Sequence, residues 1–292
     1  MKNLVPPSLD SKAVYDDIQR NARSQDKITR LERLKPHVFS RYDDYELNVL
    51  QLEMISPSSI IDSEDKKAME SCYNRSSQGY LEGKVVQKIL SIQTAQYKNK
   101  CPYCGIDKPR TIDHYLPKSN FPEFSIYPPN LIPCCGHCNT RKNDRWLDGQ
   151  KRMFLNLYYD ELPKDEQFIF SSLSFVEELS NPIPLITFEL RNSGNINSDL
   201  FDIIKNHYRY LGLLKEFSLI VEAEISNIFD KIIHNTNLPR ETHKDNLQME
   251  YAMLVRKYGI NHWKAAFIMA LIQSDEFFER AYLNADRCMR TS

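Results

Sequence analysis

In the stretch TIDHYLPKSN, residues 111–120, an aspartate stands beside a histidine, and the run lies between two cysteine pairs, CPYC at 101–104 and CGHC at 135–138. Imidazole titrates near neutrality, so His114 is the natural general base of the set. Asp113 and, past the last cysteine, Asn139 offer hard oxygen donors, which suit a Mg²⁺ ion that keeps several waters. Neighbours on a strand point to opposite faces, so Asp113 and His114 need a local twist to serve one site.

The cysteines predict a second, different metal. Five of seven (Cys101, Cys104, Cys134, Cys135 and Cys138) crowd into fewer than forty residues, while Cys72 and Cys288 stand apart as expected small core residues. Two C-x-x-C knuckles separated by thirty residues complete a tetrahedral four-thiolate Zn²⁺ site, a structural one because no coordination position stays open. Cys101, Cys104, Cys135 and Cys138 are the expected ligands. Pairing Cys134 with Cys138 leaves a three-residue gap, so Cys135 is preferred, and His137 is expected to be exposed. A redox dithiol, the rival reading, needs only one pair. So short a segment has little apolar surface with which to fold alone, and a metal closes it.

The ordered set CPYC…IDHYLPKS…NLIPCCGHCNTRK resembles the HNH endonucleases, in their zinc-stapled branch, which share the ββα-metal finger. The likeness covers about residues 100–146. It implies that Asp113 and Asn139 hold a catalytic Mg²⁺ or another divalent cation, that His114 activates water, and that Asn130 orients the His114 loop. The third motif position, often histidine in that family, is Asn139 here. Hydrolysis of a phosphodiester needs those parts: an activated water and a cation to absorb charge on the phosphate. Over residues 100–146 basic side chains outnumber acidic ones by three, seven against four. On a chain of net charge −1 this makes the finger locally positive, and Lys118, Arg141 and Lys142 are expected to meet the nucleic-acid backbone.

The elements that must position these residues are mostly helical. Apolar content of 41% with 26% charge is that of a folded protein rather than a disordered one, and only 8 glycines argue against a barrel or sandwich. Helices are expected within 12–35, after the Ser/Pro break near 56–63, and over 84–98 up to the first cysteine pair. Residues 153–159, 167–176 and 184–192 are β-branched or aromatic enough for short strands or extended connectors. Beyond Ser198 the pattern is strongly helical, with Gly259 as a stop and Ser274 as an N-cap. The expected fold is mainly α, with a helical region at 1–99, a small zinc-stapled ββα-metal finger at 100–148, and a mainly helical region at 149–292 for partner docking.

No stretch approaches a membrane span and the N-terminus lacks a secretory apolar core, so a cytoplasmic location is expected. GYLEGKV at 79–85 is one residue short of a phosphate-binding loop and has Val85 where a hydroxyl would bind Mg²⁺. A finger set within a helical chain of this size also resembles the nuclease subunits of ATPase-paired bacterial anti-phage systems of the Septu and retron-linked type. That likeness implies an SMC/ABC-like ATPase partner that gates cleavage of DNA or RNA. Trp263, Phe267, Phe277, Phe278 and Tyr282 form either its docking face or a core stripe. The alternative is a zinc-stabilised nucleic-acid-binding module that does not cut.

Overall fold

The computed structural model describes residues 2–76, 79–176 and 183–291, with side chains omitted for Ile183 and for 284–291. The chain is mainly α and divides into two compact units. One comprises residues 3–162 with 202–211, and the other residues 1–2, 163–201 and 212–292.

In the first unit, α1 (Ser11–Arg20) starts at Asp10, whose carboxylate accepts from the amides of Lys12 and Ala13. Helix α2 (Gln25–Leu47) follows, carrying Pro36 in its interior, and α3 (Ser63–Glu70) is capped by Asp62. The helix expected over 84–98 is broken: a π-turn at Leu81–Val86 runs into α4 (Gln87–Ser91), and α5 (Ala95–Asn99) starts afresh. Gln93 occupies the break, where its buried amide donates to the carbonyls of Val5 and Ile89.

The finger follows. Strand β1 (Thr111–His114) pairs antiparallel with β2 (Leu131–Cys134), with Asp113 opposite Ile132 and His114 opposite Leu131, and α6 (Gly136–Lys142) completes a ββα unit. A short hairpin of β3 (Leu147–Asp148) and β4 (Lys151–Arg152) comes next.

The finger does not stand apart from the helices. Tyr42 and Tyr45 of α2 pack on the loop between β1 and β2, with Tyr42 stacked on Tyr127 at 4.3 Å and Tyr45 edge-on to Phe124 at 5.2 Å. Glu123 in that loop is fully buried and accepts from His37 Nε2 at 3.0 Å and Ser58 Oγ at 2.6 Å. Residues 153–159 are not a strand. They wrap the finger irregularly, and Tyr158 donates its hydroxyl to the Leu131 carbonyl while Tyr115 donates to that of Phe154. The compact unit that contains the finger runs on to Leu162.

The second unit holds the two longest strands described, β5 (Ile169–Val176) and β6 (Ile183–Leu190), paired antiparallel from Ile169 opposite Leu190 to Val176 opposite Ile183. Helix α7 (Ser198–Leu211) belongs mostly to the first unit, and Gly212, with a φ of 65°, precedes α8 (Leu213–Ile233). Then come α9 (Arg240–Tyr258), closed by Gly259, α10 (Trp263–Gln273), and α11 (Asp275–Thr291), where Ser274 Oγ accepts from Phe277 N.

Phe188 of β6 meets Phe217 of α8 edge-on, and Phe217 stacks on Trp263 of α10. Trp263, Phe267, Phe277 and Phe278 are all buried, so this stripe is core and not a docking face. Tyr282, partly exposed, donates to Leu238 O. Cys72 is buried as expected, whereas the side chain of Cys288 lies outside the described residues. No helix among the described residues is long and apolar enough to cross a membrane.

Candidate active site

Two knuckles bring Cys101, Cys104, Cys135 and Cys138 together with their sulfurs within 4.8 Å of one another, all four buried. The first knuckle closes through Gly105, whose φ of 71° lets its amide turn back to the Cys101 carbonyl at 2.7 Å. The second forms the start of α6, where Cys135 caps the helix and accepts from Cys138 N. Zn–S bonds of about 2.3 Å in a tetrahedron set sulfurs about 3.8 Å apart, and Cys104 and Cys135 lie 3.9 Å apart. As thiolates, four sulfurs at this spacing call for a cation between them. The donor set fits Zn²⁺. Cys134 is outside the cage, its sulfur 3.3 Å from Thr111 Oγ1, and His137 is exposed.

Across the same ββα unit, Asp113, His114, Lys118 and Asn139 border one open cleft of about 500 Å³, joined by Tyr73, Asn143 and Asp144. The pleat sends Asp113 and His114 in opposite directions, yet both edge this cleft. Asp113 turns to Tyr103, whose hydroxyl donates to Oδ2 at 2.9 Å, and to Lys142, whose ammonium is 3.0 Å from Oδ1. His114 turns to the Ser125 carbonyl, 2.9 Å from Nε2, and to the ring of Tyr73, edge-on at 4.3 Å.

A carbonyl can only accept, so Nε2 must carry the ring proton. That leaves the Nδ1 lone pair free of it. Burial lowers the His114 pKa to about 4, against a smaller opposing pull from Ser125. The imidazole is therefore neutral and basic in form at any ordinary pH.

Asn130 is fully buried and touches only backbone: Oδ1 accepts from Leu116 N at 2.8 Å, and Nδ2 donates to Leu116 O and Phe124 O. Its own carbonyl accepts from Tyr115 N. It thus ties the residues after His114 to the loop that carries Ser125.

The three expected phosphate contacts separate. Lys118 is partly exposed, borders the cleft and sits 5.6 Å from the Tyr73 ring. Arg141 is directed away, donating to Leu211 O at 3.0 Å. Lys142 is fully buried, pairing with Asp113 and donating to the His114 carbonyl at 2.8 Å. A phosphate cannot reach it, so Lys142 is an internal cation of the site rather than a surface contact.

Tyr103, Ser125, Tyr73 and Asp144 gave no signal of their own in the sequence. Asn143 closes α6 with φ 48° and ψ −140°, a conformation side chains rarely adopt, at the edge of the cleft.

The oxygen donors also suit a hard divalent cation. Asn139 Nδ2 points to the Ile112 carbonyl at 3.5 Å, which leaves its Oδ1 as the free donor beside Asp113. Asp113 keeps lone pairs beyond those used by Tyr103 and Lys142, and Asp144 adds a second carboxylate to the rim. Asp113 and Asn139 would hold the ion. When bound it would supply Lewis-acid stabilisation of charge on a phosphate.

Residues 101–145 match the family model of HNH endonucleases. That span opens on the first zinc-cage cysteine and closes just past α6, so the HNH domain is the ββα finger with its cage. The chain is also 26% identical over 194 residues to Protein ea31 of Escherichia phage lambda, covering 61% of this chain and 63% of that protein. It is 31% identical over 106 residues to the Septu protein PtuB of Bacillus thuringiensis, covering 35% of this chain and 38% of that protein. The chain therefore spans less than two thirds of either relative. No solved structure matches it.

Proposed function

We propose that the chain is a metal-dependent endonuclease that hydrolyses phosphodiester bonds of nucleic acid, DNA in preference to RNA. The observation that carries this reading is the His114 ring, fixed by the Ser125 carbonyl so that Nδ1 is deprotonated beside Asp113 and Asn139. His114 Nδ1 takes the proton of the attacking water, the Asn130 bonds keep the loop carrying Ser125 in register, and Lys118 steers phosphate toward the cleft. Asp113 and Asn139 hold a divalent cation, with Mg²⁺ the choice their oxygens favour. A module that only grips nucleic acid has no need of a neutral base at this place.

The likeness to a Septu protein supports a role as the effector nuclease of bacterial anti-phage defence. In that reading an SMC/ABC-like ATPase partner gates the cut and the protein works in the cytoplasm.

The test is cleavage of single- and double-stranded DNA and of RNA with Mg²⁺ or Mn²⁺, with and without an ATPase encoded beside the gene. Wild-type protein should cut and His114→Ala should not, with equal zinc content in both. Normal cutting by His114→Ala would remove His114 from the mechanism. Binding without cutting under every condition would establish the binding module instead.

A further inference from the structure

A second cavity, of about 760 Å³, opens in the same unit as the cleft. Its wall is made by the α1–α2 turn, with Asn21, Arg23 and Lys27, and by the segment after α3, with Asn74, Ser76 and Tyr80. Among the described residues no carboxylate lines it, although acidic residues outnumber basic ones in the chain as a whole, 39 against 38. Its size lies in the range of small-ligand sites. Among the described residues neither Arg23 nor Lys27 forms a salt bridge, in contrast to Arg20 and Arg30 of the flanking helices, which pair with Asp17 and Asp65. The Tyr80 ring is fixed by its hydroxyl, which donates to Asp17 Oδ2 at 2.5 Å.

One short stretch of chain separates this cavity from the catalytic cleft. Ser71, Cys72 and Asn74 line the cavity, while Tyr73 between them lines the cleft and packs on His114. An anionic polymer with a phosphate at His114 would have its neighbouring nucleotides within reach of that second cavity. Cations that accept phosphate, amides and hydroxyls that accept either edge of a base, and an aromatic ring for stacking are the parts a single-strand site uses.

We infer that this cavity is a substrate subsite, holding about one or two nucleotides of the cleaved strand beside the scissile phosphate, with Arg23 and Lys27 on its phosphates and Tyr80 against a base. The inference deepens the nuclease reading and rests on it for the identity of the polymer.

The test measures binding rather than cutting, so that each reading fails by itself. Full-length protein carrying His114→Ala is titrated into a labelled single strand of about twelve nucleotides by fluorescence anisotropy, with and without Arg23→Gln and Lys27→Gln. The pair should weaken binding about tenfold and flatten the logarithmic salt slope by about 1.4, the share of two phosphate contacts on a single strand. Lys205→Gln, on an exposed residue already paired with Asp202, should change neither. Adenosine monophosphate should compete only at millimolar concentration. Unchanged strand affinity in the double variant, with zinc content and circular dichroism intact, would overturn the subsite. So would micromolar binding of the mononucleotide that the double variant loses, because the occupant would then be a free nucleotide. Absence of cleavage in the wild type alters neither readout and counts against the nuclease reading alone.

Discussion

Lys142 Nζ lies 3.0 Å from Asp113 Oδ1, and both side chains are almost wholly out of solvent. Burial pushes the Asp113 carboxyl up, and the Lys142 ammonium, first among the opposing effects, pulls it back. The pair joins the C-terminal end of α6 to β1 at the floor of the cleft. Removing one partner of a buried pair typically costs about 3–5 kcal/mol, because the other is left uncompensated. Lys142→Met should therefore lower the urea midpoint markedly, and Asp113→Asn added to it should recover part of the loss. A midpoint unchanged in Lys142→Met would show the pair to be incidental.

His114→Ala removes the base but little packing, since the residue is partly exposed at the cleft edge. Cleavage should fall by about 10²–10⁴-fold, the usual span for a general base, with thermal stability and zinc content preserved. His114→Gln, whose Nε2 can still donate to Ser125 O, should be as inactive, because it keeps the hydrogen bond and lacks the lone pair of appropriate basicity.

Asn130→Asp isolates the positioning role. The carboxylate can still accept from Leu116 N but has nothing to donate to Leu116 O and Phe124 O, which would face it as buried acceptors. Stability should drop by about 1–3 kcal/mol or more, and activity measured well below the new melting transition should drop as well. Full activity in a destabilised protein would make Asn130 purely structural.

Cys101→Ser should release one equivalent of zinc, measured by atomic emission, and unfold the finger, since metal-binding energy in such a site is folding energy. Prolonged chelation should do the same to the wild type. A zinc-free protein that keeps its near-ultraviolet dichroism and its cleavage would refute the cage.

Acid should loosen the same unit through a buried histidine. His207 of α7 donates from Nε2 to Tyr103 O, next to Cys104, and accepts on Nδ1 from Leu155 N. Burial lowers its pKa from 6.5 to about 4. The unfolded chain takes the proton below pH 6.5 and the folded chain only near 4, so the stabilisation is complete above 6.5 and is lost as pH falls toward 4. The full effect is on the order of 3 kcal/mol. His207→Gln should be less stable at pH 7.5 and should lose less between pH 6.5 and 4.5. A parallel pH dependence in both proteins would assign the acid sensitivity elsewhere.

The sequence by itself determined the parts that depend on local order. Two C-x-x-C knuckles supply the four sulfurs of one tetrahedral site, and the spacing of Asp113-His114, Asn130 and Asn139 is enough to mark an HNH finger in a mainly helical chain. The cap at Ser274 and the stop at Gly259 are likewise local, since each turns on one side chain or on the lack of one.

Tertiary structure decided what each cation and aromatic residue does. Lys118, Arg141 and Lys142 read alike as positive charges, yet one borders the cleft, one binds the end of α7 and one is sealed beneath Asp113. The fixed tautomer of His114 depends on Ser125, eleven positions on, whose carbonyl is placed by a loop packed on Tyr42 and Tyr45. Such pairings arise where distant segments bury one another, and burial is a property of the fold rather than of any stretch of the chain.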